Sequence, residues 1–285
     1  MAQQRYVSSE LTHFVGGREP PDEHRYGVLV KILNSGWLTH PPHQQTLLDR
    51  RIHINPDARL SSNELFCPNV ICFCDIPLAD LPIHMAKYSK FGLAFTKSFL
   101  ADRGATPVFY VARDAAWLPE DVVIEALGEQ MPRHGVPSEQ QRGFLQRLRT
   151  DRRPAITIGG AFDTSLKPQY LDLVAELLGR DSPLNLDQRK RLKGLHELLC
   201  AGVFSFLKFF DHEKADDDLE NFYMEREWRK HGNLRFELTD VRRVMVPEQY
   251  AKRLRDDVPG YFGQVTFAEG PLVPEDPVAA GACFG

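Results

Sequence analysis

The sequence lacks a long apolar run, and no stretch reaches the roughly 18 residues that indicate a membrane span. Its first residues, Met1 to Tyr6, lack the apolar core of a signal peptide. Cysteine is scarce and odd in number, with 5 residues in 285, which is untypical of a disulfide framework. Together these absences predict a cytoplasmic protein that does not span a membrane.

Several catalytic signatures are also missing. There is no Gly-rich phosphate loop, no Gly-x-Ser-x-Gly and no His-Glu-x-x-His, which argues against a P-loop NTPase, a serine hydrolase of that type and a zincin. Cys67, Cys72 and Cys74 lie close together, but no second cysteine or histidine pair follows at the spacing of a structural zinc site. We therefore expect no metal site and interpret these thiols as small buried apolar groups.

The charge balance offers no large electropositive surface. The net charge is −4, in a chain that is 42% hydrophobic and 26% charged, an ordinary globular composition. Two local basic runs stand out, and solvated helix faces are their default interpretation, with a nucleic-acid groove as the alternative. They comprise Arg142, Arg147, Arg149, Arg152 and Arg153, and then Arg189, Lys190, Arg191 and Lys193.

Strand-like and helix-like patterns are segregated along the chain. Strand-like stretches cluster at residues 7–15, 70–112 and 221–267, whereas helical periodicity dominates from about 115 to 210. This distribution predicts an α+β fold with a split β-sheet core, formed by residues 1–114 and 216–269. Residues 115–215 would form a helical insertion, and the Pro-, Gly- and Ala-rich residues 270–285 a flexible tail.

The stretch from Asn221 to Arg229 carries the densest mixture of aromatic and charged residues. Its aromatic content predicts a strand, on which side chains alternate between two faces. One face would carry Tyr223, Glu225, Glu227 and Arg229, and the opposite face Phe222, Met224, Arg226 and Trp228. The stretch is either a salt-bridged edge strand or the wall of a site, where a glutamate polarises or deprotonates a substrate.

Two further stretches of the chain have both a structural and a functional interpretation. His13 follows Thr12 in the first predicted strand, and it is either a hydrogen-bonded core residue or a ligand-binding group. His84 and Tyr88 lie four residues apart, on one face of a predicted helix. That spacing suits packing, but it could also direct the Tyr88 ring at a planar ligand.

Five segments together resemble the AbiGi family, which is associated with abortive phage resistance and whose members are labelled antitoxins. The segments are Leu11–Phe14, Val70–Pro77, Ile83–Gly92, Thr106–Tyr110 and Asn221–Arg229. The similarity covers most of residues 8 to 267. It implies a role in bacterial phage defence and, as an antitoxin or sensor, a partner toxin or phage component.

A second set of residues resembles ADP-ribosyltransferases of the DarT type, which modify DNA. The similarity lies in the order of residues along the chain: His13 comes first, then Tyr88, then a Glu-x-Glu motif formed by Glu225 and Glu227. The functional residues of that group follow a similar order. The resemblance implies NAD as cofactor and transfer of ADP-ribose to a nucleic acid or protein. The helical stretch at 115–210 departs from a compact transferase core.

Under this resemblance each residue has an implied role. Thr12 and His13 would bind the cofactor, with His13 bonded to the ribose on the nicotinamide side. Tyr88 would stack on nicotinamide, and Glu227 or Glu225 would stabilise the cationic ribose. A catalytic function therefore requires His13, Tyr88 and one of the glutamates to meet in a cleft. A non-catalytic antitoxin or sensor requires an exposed apolar surface instead, and a nucleic-acid-binding regulator would use the arginine-rich helices.

Overall fold

The computed structural model describes residues 8–17, 21–46, 51–115, 157–215, 218 and 220–267. The strands in these ranges are β1 (Glu10–Phe14), β2 (Trp37–Leu38), β3 (Ile52–Ile54), β4 (Phe66–Pro68), β5 (Val70–Cys74), β6 (Gly92–Thr96), β7 (Thr106–Pro107), β8 (Phe109–Ala112), β9 (Leu207–Phe210), β10 (Glu227–His231), β11 (Leu234–Arg235), β12 (Val241–Val246) and β13 (Gln264–Phe267). The α-helices are α1 (Asp22–Ser35), α2 (Leu81–Lys87), α3 (Lys97–Ala101), α4 (Ile158–Ala161), α5 (Lys167–Leu178), α6 (Leu186–Gly202) and α7 (Ala251–Asp257).

A seven-stranded mixed sheet dominates the structure, with the strand order β13–β12–β6–β1–β5–β10–β7. Neighbouring strands are antiparallel except for the parallel pair β12–β13. Strands from the two ends of the chain thus share one sheet, which confirms the predicted α+β class and the joining of the strand clusters at 7–15, 70–112 and 221–267. The proposed core and insertion boundaries stay a prediction.

One face of the sheet is covered by α1. Tyr26, Leu29 and Leu33 recur at helical spacing and are each at most 1% exposed. They pack against a core that includes Phe73 and Phe95. Burying each such side chain contributes roughly 1.5–3 kcal/mol, so this apolar layer is the principal stabilising element of the sheet.

The opposite face carries a smaller apolar cluster and then becomes polar. Residues of α2, such as Leu81 and Met85, pack against Cys74 and Met245 of the sheet. The α2 helix ends at Lys87, and Tyr88 follows it directly. Both side chains thereby reach the end of the cluster that lies next to β10.

A second apolar core lies between the β3–β4 hairpin and the helices that follow residue 157. It contains Leu60, Leu65, Phe66, Cys200 and Phe209. Asn63 connects the two parts directly, because its side chain accepts from the Phe209 N–H (2.7 Å) and donates to the Phe209 carbonyl (2.9 Å). The parallel pair β8–β9 lies at the same junction, so Leu207–Phe210 is strand within a region expected to be helical.

The predicted strand from Asn221 to Arg229 is partly wrong. Phe222–Glu225 forms a 3₁₀ turn, and the strand begins only at Glu227. The Asn221 side chain accepts from the Tyr223 N–H and so starts the turn. Arg226 then takes a left-handed conformation with φ of 42°, which reverses the backbone before β10.

Some expectations lie outside the described residues. They concern the first basic run, Arg142, Arg147, Arg149, Arg152 and Arg153, and the tail at residues 270–285.

Candidate functional site

The backbone reversal at Arg226 directs two carboxylates at the same cation. Glu225 ends the 3₁₀ turn and Glu227 begins β10, so they are not on one continuous strand. The Lys208 Nζ nevertheless lies 3.4 Å from Glu225 Oε2 and 2.9 Å from Glu227 Oε2. Lys208 belongs to β9, so a cation from the β8–β9 pair lies between the two acids.

Each glutamate has further partners of its own. The Lys87 Nζ lies 2.5 Å from Glu225 Oε1, and the Tyr88 hydroxyl donates to the same carboxylate. Glu227 accepts two bonds from Arg229, at 2.7 Å from Nε and 3.2 Å from Nη2. Only 6% of the Glu225 side chain and 5% of the Glu227 side chain are exposed. We call this group (Lys87, Tyr88, Lys208, Glu225, Glu227 and Arg229) the acidic cluster.

Within the acidic cluster, electrostatics favour the ionised forms of Glu227 and Lys208. Burial alone would raise the pKa of Glu227, but Lys208 and Arg229 outweigh that effect and hold it well below its usual range. Burial opposes the charge on Lys208, whereas Glu227 and Glu225 raise its pKa above the ordinary value. Burial and then the Glu225 carboxylate raise the pKa of Tyr88, so its hydroxyl remains a donor.

This arrangement restricts the chemistry available to the glutamates. A general base works best with a pKa near the operating pH, and Glu227 lies far below that range. The oxygens of Glu225 and Glu227 are already bonded to protein cations. The Phe222 ring also lies against the cluster, with Lys87 Nζ at 4.7 Å and Lys208 Nζ at 4.5 Å from its centroid. The described geometry is a closed ionic network.

The acidic cluster also joins the main sheet to the helical part of the chain. The Arg229 Nη1 donates to the Ser205 carbonyl at 2.6 Å, just after α6. The Glu227 N–H donates to the Tyr110 hydroxyl of β8 at 2.7 Å. Together with Lys208 of β9, these contacts connect β10 to the β8–β9 pair. The cluster therefore holds two parts of the molecule together.

His13 is not brought to the acidic cluster. Strand register aligns Thr12 with Cys74 and Cys74 with Glu227, so alternation places Thr12 on the sheet face of Glu227 and His13 on the other face. The His13 Nδ1 lies 2.9 Å from the Cys72 carbonyl oxygen, and its ring centroid lies 5.8 Å from that of Phe73. Burial lowers the pKa of His13.

Of the residues singled out from the sequence, Tyr88, Glu225 and Glu227 therefore converge, Thr12 shares their face, and His13 does not join them. Lys87 and Lys208 were missed by sequence reasoning. A signal existed for Lys208, because a single lysine within the apolar run from Phe204 to Phe210 requires a buried partner. No comparable signal distinguished Lys87 from an ordinary surface lysine.

Two absences among the described residues complete the description. Within the described ranges, no helix is both long and apolar enough to cross a membrane. Across the same residues, no group of three or more His, Cys, Asp or Glu side chains is placed to hold a metal ion.

Residues 61–258, more than half of the chain, match the model of a family described as "Putative abortive phage resistance protein AbiGi, antitoxin". Neither the search of curated proteins nor the search of solved structures returns a significant match. The matched range contains every residue of the acidic cluster and leaves out β1, with Thr12 and His13. The cluster thus lies within the part of the chain that the family shares.

Proposed function

Since the chain belongs to the AbiGi family, we propose that it serves in abortive phage defence as a non-catalytic antitoxin that binds a partner toxin. The observation that carries this proposal is the closed state of the acidic cluster. Glu225 and Glu227 are each about nineteen-twentieths buried and bonded to cations, so neither offers a free carboxylate to a substrate. Restraint by binding requires no such group.

A binding function requires an exposed apolar surface, and α6 supplies a candidate. Leu195 is 52% exposed and Leu198 is 65% exposed. They are three residues apart and therefore neighbours on the same side of the helix. Amphipathic helices commonly bind partner grooves through apolar residues at this spacing. This pair suits a protein partner that presents an apolar groove.

A growth assay in cells that also express the partner toxin distinguishes binding from catalysis. The double variant Leu195→Lys/Leu198→Lys changes exposed side chains, so it should remain folded while the cells lose their protection from the toxin. Leu78→Lys, at a residue that is 45% exposed elsewhere, should protect as well as wild type. Tyr88→Phe, which removes the hydroxyl bonded to Glu225, should also protect normally. Full protection by the double variant together with loss in Tyr88→Phe would overturn the binding proposal.

ADP-ribosyl transfer from NAD to a nucleic acid or protein remains a second candidate. The observation that favours it is the convergence of Tyr88 with Glu225 and Glu227, which follow it by about half of the chain. In this function Tyr88 would contact nicotinamide after the cluster opened, and Glu227 would stabilise the cationic ribose. Thr12 lies on the same sheet face, whereas His13 would need to act from elsewhere.

The transferase candidate is tested with purified protein and NAD. Release of nicotinamide or labelling of an added DNA or protein acceptor should occur with wild type and be lost in Tyr88→Ala, which removes the ring. No release and no labelling, from protein shown to be folded, would eliminate the candidate. The antitoxin proposal is unaffected by that result.

A further inference from the structure

Arg191 extends the exposed apolar pair of α6 by one turn. It precedes Leu195 by four residues and Leu198 by seven, so the three side chains lie on one side of the helix. Arg191 is exposed, and among the described residues its guanidinium has neither an ion pair nor a hydrogen bond. Asp187, one turn earlier, lies where the positive end of the helix dipole stabilises its charge. The exposed side of α6 therefore offers two leucines with an unpaired cation at one end.

The other cations of α6 do not share this position. Lys193 pairs with Glu197 at 3.8 Å, and the Arg189 Nη2 donates to the last main-chain carbonyl of α5 at 3.1 Å. Lys190 is exposed, but it lies about 100° around the helix from Arg191, off the side that carries the leucines. A partner that covers the two leucines would therefore also cover Arg191.

Gly194 allows a partner to come close to this side of the helix. It lies between Arg191 and Leu198, and a Cβ added there would meet no atom of the described residues within 4 Å. Glycine in a helix interior is less favourable than alanine, and packing within the described part of the chain does not require it here. A partner backbone that lies against Gly194 would remove the neighbouring Arg191 guanidinium from water.

We propose that the partner toxin carries an aspartate or glutamate at one end of its apolar groove, where the carboxylate pairs with Arg191. The inference rests on the antitoxin function proposed above. A cation that loses water without gaining a counter-charge weakens a complex, whereas a carboxylate binds guanidinium through two parallel hydrogen bonds. Because α6 rises 1.5 Å per residue, the carboxylate lies about 6 Å along the groove from the pocket for Leu195. A nucleic-acid phosphate also pairs with arginine, but it would leave the two leucines without an apolar partner.

Charge reversal tests the pairing in the growth assay with co-expressed toxin. Arg191→Glu changes an exposed side chain, so it should remain folded, but the cells should lose their protection. Its binding to the purified toxin should weaken by about tenfold or more. Arg191→Lys keeps the charge and should retain most of the protection. The matched control Arg180→Glu makes the same change at an exposed residue outside α6 and should protect like wild type.

A selection among toxin variants identifies the acid itself. Each variant has one aspartate or glutamate changed to arginine, and each is expressed with either the wild-type chain or Arg191→Glu. One variant should kill cells that contain the wild-type chain and spare cells that contain Arg191→Glu. Such a reversal of specificity shows that opposite charges face each other across the interface.

Gly194→Ala tests the close approach of the partner. Alanine should raise the melting temperature, because it favours the helix, while its methyl group should weaken binding to the purified toxin. A more stable variant that binds the toxin as tightly as wild type would contradict the close approach, and with it the need for a counter-charge.

Other results would overturn the inference in distinguishable ways. If Leu195→Lys/Leu198→Lys loses protection while Arg191→Glu keeps it, the antitoxin proposal stands and the carboxylate is absent. If both variants protect like wild type, the α6 surface proposed for the toxin is wrong as well. Equal losses in Arg191→Glu and Arg180→Glu would indicate a general effect of charge. DNA that is retarded by wild type but not by Arg191→Glu, with toxin binding unchanged, would assign Arg191 to a nucleic acid.

Discussion

The Glu227 carboxylate lies between Lys208 and Arg229 with 5% of its side chain exposed. Neutralising it leaves two buried cations with one fewer counter-charge. A carboxylate that faced a cleft, as the site interpretation of the sequence requires, would tolerate this change with little loss of stability. Because its ion pairs with Lys208 and Arg229 are buried, we expect Glu227→Gln to lower the free energy of unfolding by about 3–5 kcal/mol. Urea denaturation measures this loss.

A surface pair provides the control for that measurement. Glu220 pairs with Lys214, but 64% of its side chain is exposed, so Glu220→Gln should change stability by less than about 1 kcal/mol. The pKa of Glu227 is depressed on folding. Its contribution is therefore present above the unfolded carboxyl pKa of about 4.3 and lost at lower pH. Equal stability losses in both variants would show that the acidic cluster is not a stabilising network.

His84 provides a separate pH dependence. It is 4% exposed, its Nδ1 has no hydrogen-bond partner among the described residues, and burial lowers its pKa from 6.5 to about 4. A depressed pKa means that stability is fully present above pH 6.5 and declines as the pH falls toward 4. The loss amounts to at most about 3 kcal/mol.

Unfolding free energies measured between pH 7 and pH 4 should therefore decline less in His84→Gln than in wild type. The exposed His53 provides the matched variant, and His53→Gln should keep the wild-type slope. If His84→Gln also kept the full slope, the pH dependence would originate in other groups.

At the scale of elements, Asn63 determines how β9 is held. Its side chain bonds both backbone groups of Phe209, as a neighbouring strand would. Asn63 has φ of 64°, so Asn63→Gly removes the side chain without backbone strain. We expect a loss of about 1–3 kcal/mol, because two backbone groups lose their partner. Thermal unfolding measures it, with His43→Gly as control because His43 is exposed and has a similar φ of 61°; equal effects would contradict the assigned role.

Elements were predictable from sequence where local pattern and tertiary environment agree. The apolar spacing of Tyr26, Leu29 and Leu33 is typical of a helix, as α1 is, and the continuous apolar run of β5 is typical of an inner strand of a sheet. The stretch before β10 was not predictable. Its aromatic content favours a strand, whereas the turn follows from one Asn221 side-chain bond and the positive φ of Arg226. A single-residue backbone reversal leaves no periodic signal.

At the scale of the whole molecule, the acidic cluster connects the main sheet to the β8–β9 pair and the helices beyond residue 157. Weakening it should loosen that connection before it affects the sheet. In Glu227→Gln we expect faster hydrogen exchange in residues 157–210, while amides of β1 and β6 keep wild-type protection. Mass-spectrometric exchange measures both regions in one sample. Uniformly faster exchange would indicate a single cooperative unit instead.

The sequence predicted the mixture of strands and helices and the union of distant strands in one sheet. It also directed attention to Tyr88, Glu225 and Glu227, which do converge. It could not predict that Lys87 and Lys208 close the site. Lys87 lies more than a hundred residues from Glu225 along the chain, and Lys208 lies on a strand outside the main sheet. Nor could it separate His13 from the cluster, since the face that a strand residue occupies depends on register.

The strand order has a consequence for synthesis on the ribosome. The central strands β6, β1 and β5 are complete by Thr96, but their outer neighbours β10 and β12 emerge more than a hundred residues later. Translation proceeds at about 5–20 residues per second, so the outer edges of β6 and β5 remain unpaired for on the order of ten seconds. During that interval the growing polypeptide depends on chaperones, or on slow association with other chains, to avoid pairing these strand edges with neighbouring nascent chains.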